Sequence, residues 1–177
     1  ISIAGGKLTG FRKMASRTTD KVMENLHAEN GFPKTRSNTR DIVLQGGAIS
    51  NLKELIKETT YQLEKLGLAN HEAKYLVHTY GTESKGIIKE MMGHLTGHPI
   101  TDMSMAELRH CIQNESVHHL SDFVVQRTGR LYFDIGSIPG ILEVLAETMG
   151  SILGWDQKQI TKEKETVKEL IMQATDF

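Results

Sequence analysis

Apolar residues recur every three to four positions along most of this chain, and only three prolines interrupt the pattern. This spacing places apolar side chains on one face of an α-helix, which can then pack against a core. The pattern predicts helices over residues 9–28, 52–66, 71–80, 83–92, 105–128 and 138–153, and a last helix after Asp156. The sequence therefore predicts a mainly α protein.

Three of the predicted helices have recognisable N-terminal caps. Ser104 with Glu107, and Asp156 with Gln159, match the capping box, in which an oxygen-bearing N-cap is followed three residues later by Glu or Gln. Ser137 stands where it can cap the helix that follows it. These signals predict that helices begin directly after each of the three N-cap residues.

The composition bounds the class of the protein. A chain of 177 residues can build one hydrophobic core but not two large domains. The net charge of −1 and an aromatic content of 6% argue against a nucleic-acid partner. The lone Cys111 excludes an intramolecular disulfide and a cysteine-based zinc site, and it fits a reducing compartment. No apolar run approaches the roughly 20 residues that a membrane-spanning helix needs.

The N-terminal part differs from the rest. Ile1–Ala4 reads as a strand that the Gly5-Gly6 pair ends, and Ile42–Leu44 reads as a second short strand within a segment rich in glycine and asparagine. The chain opens without a methionine, and we expect it to be part of a longer protein. The predicted parts are a strand–turn–helix stub at 1–30, a connector at 31–51 and a helical domain at 52–177.

The turn around Lys7 matches no standard nucleotide-binding motif. A phosphate loop requires a glycine where Ile1 stands and a hydroxyl residue where Leu8 stands, and a GxGxxG fingerprint does not fit glycines at positions 5, 6 and 10. A glycine turn before a helix still directs free N–H groups at one spot, which suits a phosphate, a carboxylate or the electron-rich end of a flavin. The alternative is a tight turn with an exposed lysine, and the spacing leaves both interpretations open.

Two longer stretches resemble a known family. "GGKLTGFRKMA", residues 5–15, is similar to a segment near the end of the FAD domain in FAD-dependent glycerol-3-phosphate dehydrogenases and the related α-glycerophosphate oxidases. "SDFVVQRTGRLYFD", residues 121–134, resembles the signature of that family's C-terminal helical domain, and the stretches 44–47 and 67–81 resemble segments between the two. The chain departs from the family pattern at two positions. Gly10 stands where the family often has a polar residue, and Gln126 stands where it often has the first arginine of an Arg-Arg pair.

The resemblance implies a C-terminal piece of a flavoenzyme, a helical cap domain preceded by the last strand–turn–helix of an FAD-binding α/β domain. It implies oxidation of sn-glycerol 3-phosphate to dihydroxyacetone phosphate with FAD and a quinone acceptor, with Lys7 as the catalytic residue. The cofactor-binding residues that it implies are Gly5, Gly6, Lys7, Leu8 and Thr9. The alternatives are an oxygen-using oxidase and a non-catalytic helical interaction module.

The resemblance also implies partners and a location. The upstream FAD and substrate domain of the same polypeptide is the expected partner, with a homo-oligomer as a further option. We expect that this chain alone does not retain FAD and is inactive. We expect a cytoplasmic protein, with a peripheral position at the inner face of the membrane as an option for the full-length enzyme.

The remaining polar clusters are interpreted as structural. Glu115, His118, His119 and Asp122 have a spacing that could hold a metal on a helix, but no strict motif is present and no metal is predicted. We expect Arg127 or Arg130 to pair with Glu115, in an ion-pair network that includes Asp122. We expect three aromatic residues to lie in the core or to pack against another domain: Tyr132, Phe133 and Trp155. The cationic run Arg36–Arg40 is expected to be an exposed loop.

Overall fold

The computed structural model describes residues 1–35 and 37–176, so Arg36 of the predicted cationic loop lies outside the described residues. The chain divides into two compact units, Ile1–Leu44 and the remainder from Gln45. This division falls inside the predicted connector. Whether 1–30, 31–51 and 52–177 correspond to parts of an FAD enzyme stays a prediction.

The N-terminal unit contains one long helix. A 3₁₀ turn at Leu8–Gly10 leads into α1 at Phe11–Asn30. Gly31 ends this helix with φ +69°, and its N–H donates to the His27 carbonyl at 3.0 Å. This is the left-handed C-cap that glycine adopts without steric cost. The helix itself contains no buried residue.

The two predicted strands are wrong. Neither Ile1–Ala4 nor Ile42–Leu44 forms a strand, and no strand occurs within residues 1–35 and 37–176. A strand is stable only when a neighbouring strand pairs with its backbone N–H and C=O groups. Apolar composition alone does not supply that partner, so both segments have irregular backbone.

The helical unit contains seven α-helices among its described residues: α2 at Leu52–Glu64, α3 at Asn70–Tyr80, α4 at Ser84–Gly93, α5 at Pro99–Asn114, α6 at Arg130–Phe133, α7 at Ile138–Leu153 and α8 at Gln157–Thr175. Successive layers pack α2 on α3, α4 on α5, α5 on α7 and α7 on α8. One hydrophobic core runs through them, and its largest fully buried side chains include Phe123, Leu76, Leu108, Leu145 and Met149. The prediction of a mainly α fold is confirmed.

The predicted helix at 105–128 is wrong at both ends. Helix α5 begins at Pro99, where a residue without N–H is tolerated, and it ends at Asn114. Ser104 is therefore inside the helix, where its hydroxyl donates to the Ile100 carbonyl at 2.8 Å. Ser116, with φ +57°, lies in the break after the helix, and a short π-helix follows at Asp122–Arg127.

The predicted ends of the other helices agree better with the structure. Asp156 caps α8, because its Oδ1 accepts from the Gln159 N–H at 2.7 Å, although the Gln159 side chain donates to Glu163 instead of closing the box. Gly81 follows α3 as expected. Tyr132 and Phe133 do not lie in the core, being 68% and 89% exposed. None of the described helices combines the length and apolar character needed to cross a membrane.

Candidate functional site

The turn that carries Lys7 is an exposed segment at the start of α1. Lys7 has extended backbone, and its carbonyl accepts from the Gly10 N–H at 3.0 Å, which forms the 3₁₀ turn. Leu8 is 86% exposed, and Thr9 is exposed as well. The Lys7 side chain has no hydrogen-bond or ion-pair partner in the part of the chain that the structure describes. Its charge is thus available to an external group.

The two glycines of this turn differ in their surroundings. A Cβ on Gly5 would lie 2.8 Å from both Sδ and Cε of Met14, so the backbone at Gly5 lies directly against α1. A Cβ on Gly6 would meet no atom of the described residues within 4 Å. The flexible end of Met14 could move away from a side chain at position 5, so steric contact does not by itself require either glycine, and Gly6 leaves space beside Lys7.

The beginning of α1 has no side-chain cap among the described residues, although the Phe11 N–H donates to the Leu8 carbonyl of the preceding 3₁₀ turn. Gly10 is the N-cap and has no side chain to accept from the first-turn N–H groups, and the first turn contains no acidic residue. Such N–H groups carry partial positive charge and bind anions. With Lys7 next to them, the predicted site residues form an exposed turn of positive electrostatic character. The roles of Gly5, Gly6, Lys7, Leu8 and Thr9 toward a cofactor stay predictions.

The structure also brings together residues that the sequence analysis did not connect. Arg12 Nη2 donates to the Thr39 hydroxyl at 3.4 Å and to its carbonyl at 3.5 Å. These contacts form a groove of about 420 Å³, lined by Arg12, Lys13, Ser16, Ser37, Thr39 and Arg40. The two groups of lining residues, 12–16 and 37–40, lie more than 20 positions apart along the chain, and no local motif could have indicated the contact. Arginine and hydroxyl groups of this kind are typical phosphate ligands.

In the helical unit, the main polar cluster surrounds a fully buried carboxylate. Glu107 is 0% exposed and accepts from the Tyr80 hydroxyl at 2.8 Å, from Arg130 Nη2 at 3.2 Å and from the Tyr75 hydroxyl. Burial and the Glu107 charge raise the pKa of both tyrosines. Burial likewise raises the pKa of the Cys111 thiol to about 12, so that thiol is unreactive at neutral pH. The Glu107 carboxylate at the centre of the cluster is buried, so the cluster is interpreted as structural.

The predicted ion-pair network is only partly correct. Arg127 does pair with Glu115, with Nε 3.6 Å from Oε2, and also donates to the Glu115 carbonyl at 2.6 Å. Arg130 pairs with Glu107 instead, and Asp122 accepts from the backbone N–H groups of His118 and His119. The break after α5 separates these side chains, whereas the prediction assumed one continuous helix. No group of three His, Cys, Asp or Glu side chains that could hold a metal occurs in the described part of the chain.

His119 connects the segment after α5 to α8. Its Nδ1 lies 2.8 Å from Glu163 Oε1, and Glu163 also accepts from the Leu120 N–H at 3.0 Å. The hydrogen bond to Glu163 raises the pKa of His119, and Asp122 adds to this effect while Lys162 opposes it. Glu163 is 5% exposed, so its charge is stabilised by these donors.

We expect His119→Gln to remove a pH-dependent part of the stability. Because the pKa of His119 is raised in the folded state, protonated His119 stabilises the folded chain. This contribution is fully present below the histidine pKa of the unfolded chain, about 6.5, and it is lost as the pH rises through the folded-state pKa. In urea unfolding series, the difference from the parent chain should thus be largest near about pH 6 and shrink at higher pH. Because His119 is 59% exposed, the difference should stay below about 1 kcal/mol. A difference that grows with pH, or one reproduced by His118→Gln, would contradict this role.

Comparisons with known proteins agree with the resemblance in the sequence. The model of the family described as the C-terminal domain of alpha-glycerophosphate oxidase matches residues 37–160. The aerobic glycerol-3-phosphate dehydrogenase of Bacillus subtilis is 29% identical over 180 residues, which cover 98% of this chain and 32% of that relative. The protein of the same name from Staphylococcus saprophyticus is 29% identical over 172 residues, covering 92% and 30% of the two chains.

A solved structure is similar as well. The X-ray structure of the glycerol-3-phosphate dehydrogenase from Bacillus halodurans complexed with FAD matches with a TM-score of 0.82 and 27% identity, over 99% of this chain and 36% of that one. This chain spans about a third of the length of the curated relatives that it matches. Because the family model takes in well over half of its residues, the chain belongs to the family of the C-terminal domain of alpha-glycerophosphate oxidase.

Proposed function

We propose that this chain is the C-terminal part of a flavoenzyme that oxidises sn-glycerol 3-phosphate to dihydroxyacetone phosphate, with FAD as the cofactor and quinone as the electron acceptor. The observation that carries the proposal is the near-complete alignment of the chain with aerobic glycerol-3-phosphate dehydrogenases. The chain spans about a third of their length. We infer that the parts binding most of the FAD and substrate belong to an upstream domain of the same polypeptide.

The N-terminal unit supports the need for such a partner domain. Helix α1 has an apolar stripe, and yet Phe11 is 62% exposed, Val22 is 37% exposed and no residue of the helix is buried. Each such side chain would gain about 1.5–3 kcal/mol from full burial. An amphipathic helix with an uncovered apolar stripe is typical of an element that packs on a neighbouring domain.

The residues around Lys7 suit the cofactor that the proposal requires. When bound, FAD accepts the hydride that leaves C2 of the substrate. A reduced flavin carries negative charge, which the Lys7 ammonium and the uncapped N–H groups of α1 can stabilise. The open space at Gly6 allows a ring to approach the backbone closely. These groups act by binding and by electrostatic stabilisation, and Lys7 is assigned as the residue that contacts substrate or cofactor.

Lys7→Ala in the full-length enzyme should slow the reduction of bound FAD by sn-glycerol 3-phosphate about 10²- to 10³-fold, the usual loss when one stabilising donor is removed. Stopped-flow bleaching of the flavin absorbance measures this rate directly. Because Lys7 is exposed, the substitution should leave the fold intact.

The matched control is Lys21→Ala, an exposed lysine further along the same helix and outside the groove around Arg12. In this control variant, sn-glycerol 3-phosphate should reduce the bound FAD at the parental rate. Normal reduction by substrate in Lys7→Ala would remove Lys7 from the site but leave the function standing. Absence of substrate-dependent bleaching in the parent enzyme would refute the function itself.

Two alternatives have a specific observation in their favour. The matched family is described from an alpha-glycerophosphate oxidase, which favours oxygen as the electron acceptor. Hydrogen peroxide produced in step with substrate oxidation would identify the oxidase. The helical unit has its own core while α1 has none, which favours a helical interaction module.

With quinone as the acceptor, we place the full-length enzyme in the cytoplasm and peripherally at the inner face of the membrane.

A further inference from the structure

Helix α6 carries the most exposed large apolar side chains among the described residues of the helical unit. Tyr132 is 68% exposed and Phe133 is 89% exposed. Their rings pack edge to face, with centroids 6.5 Å apart and an interplanar angle of 71°. We call this pair the aromatic tip. Single exposed apolar residues are common on protein surfaces, but adjacent exposed aromatic rings are typical of interaction surfaces.

The backbone beneath the aromatic tip is fixed by the core of the helical unit. Leu131 is 6% exposed and packs in the hydrophobic core. Arg130 is 8% exposed, and its Nη2 donates to Glu107 Oε2 at 3.2 Å. The Gly129 carbonyl accepts from the backbone N–H groups of both tip residues, each at 3.0 Å. The tip is therefore preorganised, and a partner that packs on it orders little backbone.

We propose that the aromatic tip packs on the upstream FAD domain of the same polypeptide. This inference rests on the proposed function, which supplies the upstream domain, and it adds a contact that the helical unit makes with that domain. The Tyr132 hydroxyl has no hydrogen-bond partner in the part of the chain that the structure describes. The partner surface should therefore combine an apolar depression for the two rings with a polar group for this hydroxyl.

The shape and size of the tip favour a covalently linked domain over the other occupants. Rings that are this exposed project from the surface, whereas small-molecule sites are concave. Aromatic residues bury about 150–250 Å² each, so the tip offers roughly 300 Å². A stable dimer of separate chains needs about 800 Å² on each partner. A linked domain is present at an effective concentration in the millimolar range, so a smaller contact suffices.

The test is hydroxyl-radical footprinting, read by mass spectrometry, of the full-length holoenzyme and of the 177-residue chain. Both tip residues should be oxidised at least about fivefold more slowly in the holoenzyme, because a packed interface excludes water from its central side chains. Tyr61, which is 63% exposed on α2, is the internal reference and should be oxidised at about the same rate in both samples.

A double variant, Tyr132→Ser with Phe133→Ser, tests the energetic weight of the contact. In the 177-residue chain it should leave the midpoint of thermal unfolding unchanged, because both side chains are exposed there. In the holoenzyme it should lower the unfolding temperature of the helical unit by at least about 3 °C. The matched control is Tyr61→Ser, which should change neither midpoint.

Equal oxidation of the tip in both samples overturns the proposal, and so does equal protection of Tyr61, which would move the contact away from the tip. Protection in the 177-residue chain that increases with its concentration would identify a second copy as the occupant and also overturn it. Equal destabilisation of the chain and the holoenzyme by the double variant would assign the tip to the chain's own fold, with the same consequence.

Bleaching of the flavin by sn-glycerol 3-phosphate in the same holoenzyme preparation tests the proposed function separately. Bleaching with an unprotected tip overturns this inference alone. A protected tip without bleaching refutes the proposed activity and leaves the contact between the two domains standing.

Discussion

Replacing Arg130 with methionine is expected to lower the free energy of unfolding by about 3–5 kcal/mol. Arg130 Nη2 lies 3.2 Å from Glu107 Oε2, and Glu107 is 0% exposed. Removing the guanidinium leaves a carboxylate inside the core without its counter-charge, and water cannot reach it. Urea unfolding followed by circular dichroism at 222 nm measures the change.

Arg127→Met is the matched control, because it removes an arginine three residues away whose ion pair is partly solvated. Arg127 and Glu115 are 41% and 27% exposed and lie 3.6 Å apart, so their contribution should stay below about 1 kcal/mol. The double variant Glu107→Gln with Arg130→Met should recover part of the loss, since no unpaired charge remains buried. Equal destabilisation by Arg130→Met and Arg127→Met would show that the buried pair has no special weight.

Gly81→Ala should destabilise the helical unit by about 3 kcal/mol or more. Gly81 has φ +57°, and a Cβ there would overlap the carbonyl oxygen of Gly46. That same carbonyl accepts from the Thr82 N–H at 3.0 Å, so the two backbones cannot separate without breaking a hydrogen bond. Gly46, with φ +76°, is constrained in the same way by the Tyr80 carbonyl. Thermal unfolding of the variant and the parent chain measures the loss.

The control for this prediction is Gly86→Ala on the neighbouring helix α4. Within residues 1–35 and 37–176, a Cβ on Gly86 would meet no atom closer than 4 Å. Alanine is the better helix former by about 1 kcal/mol, so this variant should be as stable as the parent or more stable. If both alanine variants unfold at the parental temperature, the close approach of Gly46 and Gly81 is not required for stability.

The helices themselves could be predicted because their signals are local. The apolar stripes and the terminal signals, such as Gly67 after α2 and Asp156 before α8, lie within a few residues of the positions that they determine. The resemblance carried by residues 5–15 and 121–134 was equally readable, because it depends on the order of residues alone. The comparisons confirm the family that this resemblance indicated.

The structural predictions were wrong where contacts between residues far apart in the sequence determine the local structure. Ser104 and Glu107 have the spacing of a capping box, but both are buried and accept hydrogen bonds from Arg130. Arg130 lies 26 and 23 positions further along the chain, respectively. Arg12 and Thr39 are brought together across 27 positions, and no short pattern could indicate that contact. The predicted strands failed for the related reason that a strand needs a second segment to pair with it.

The sequence by itself determined that the chain is helical, where most helices lie and which family it belongs to. These properties follow from apolar periodicity, from caps and from residue order, all of which act over a few positions. Only the tertiary structure decided which arginine pairs with the buried Glu107, that Gly46 and Gly81 must approach each other, and that α1 has no core of its own. These depend on burial and on hydrogen bonds between distant residues, whose energies exist only after the chain has folded.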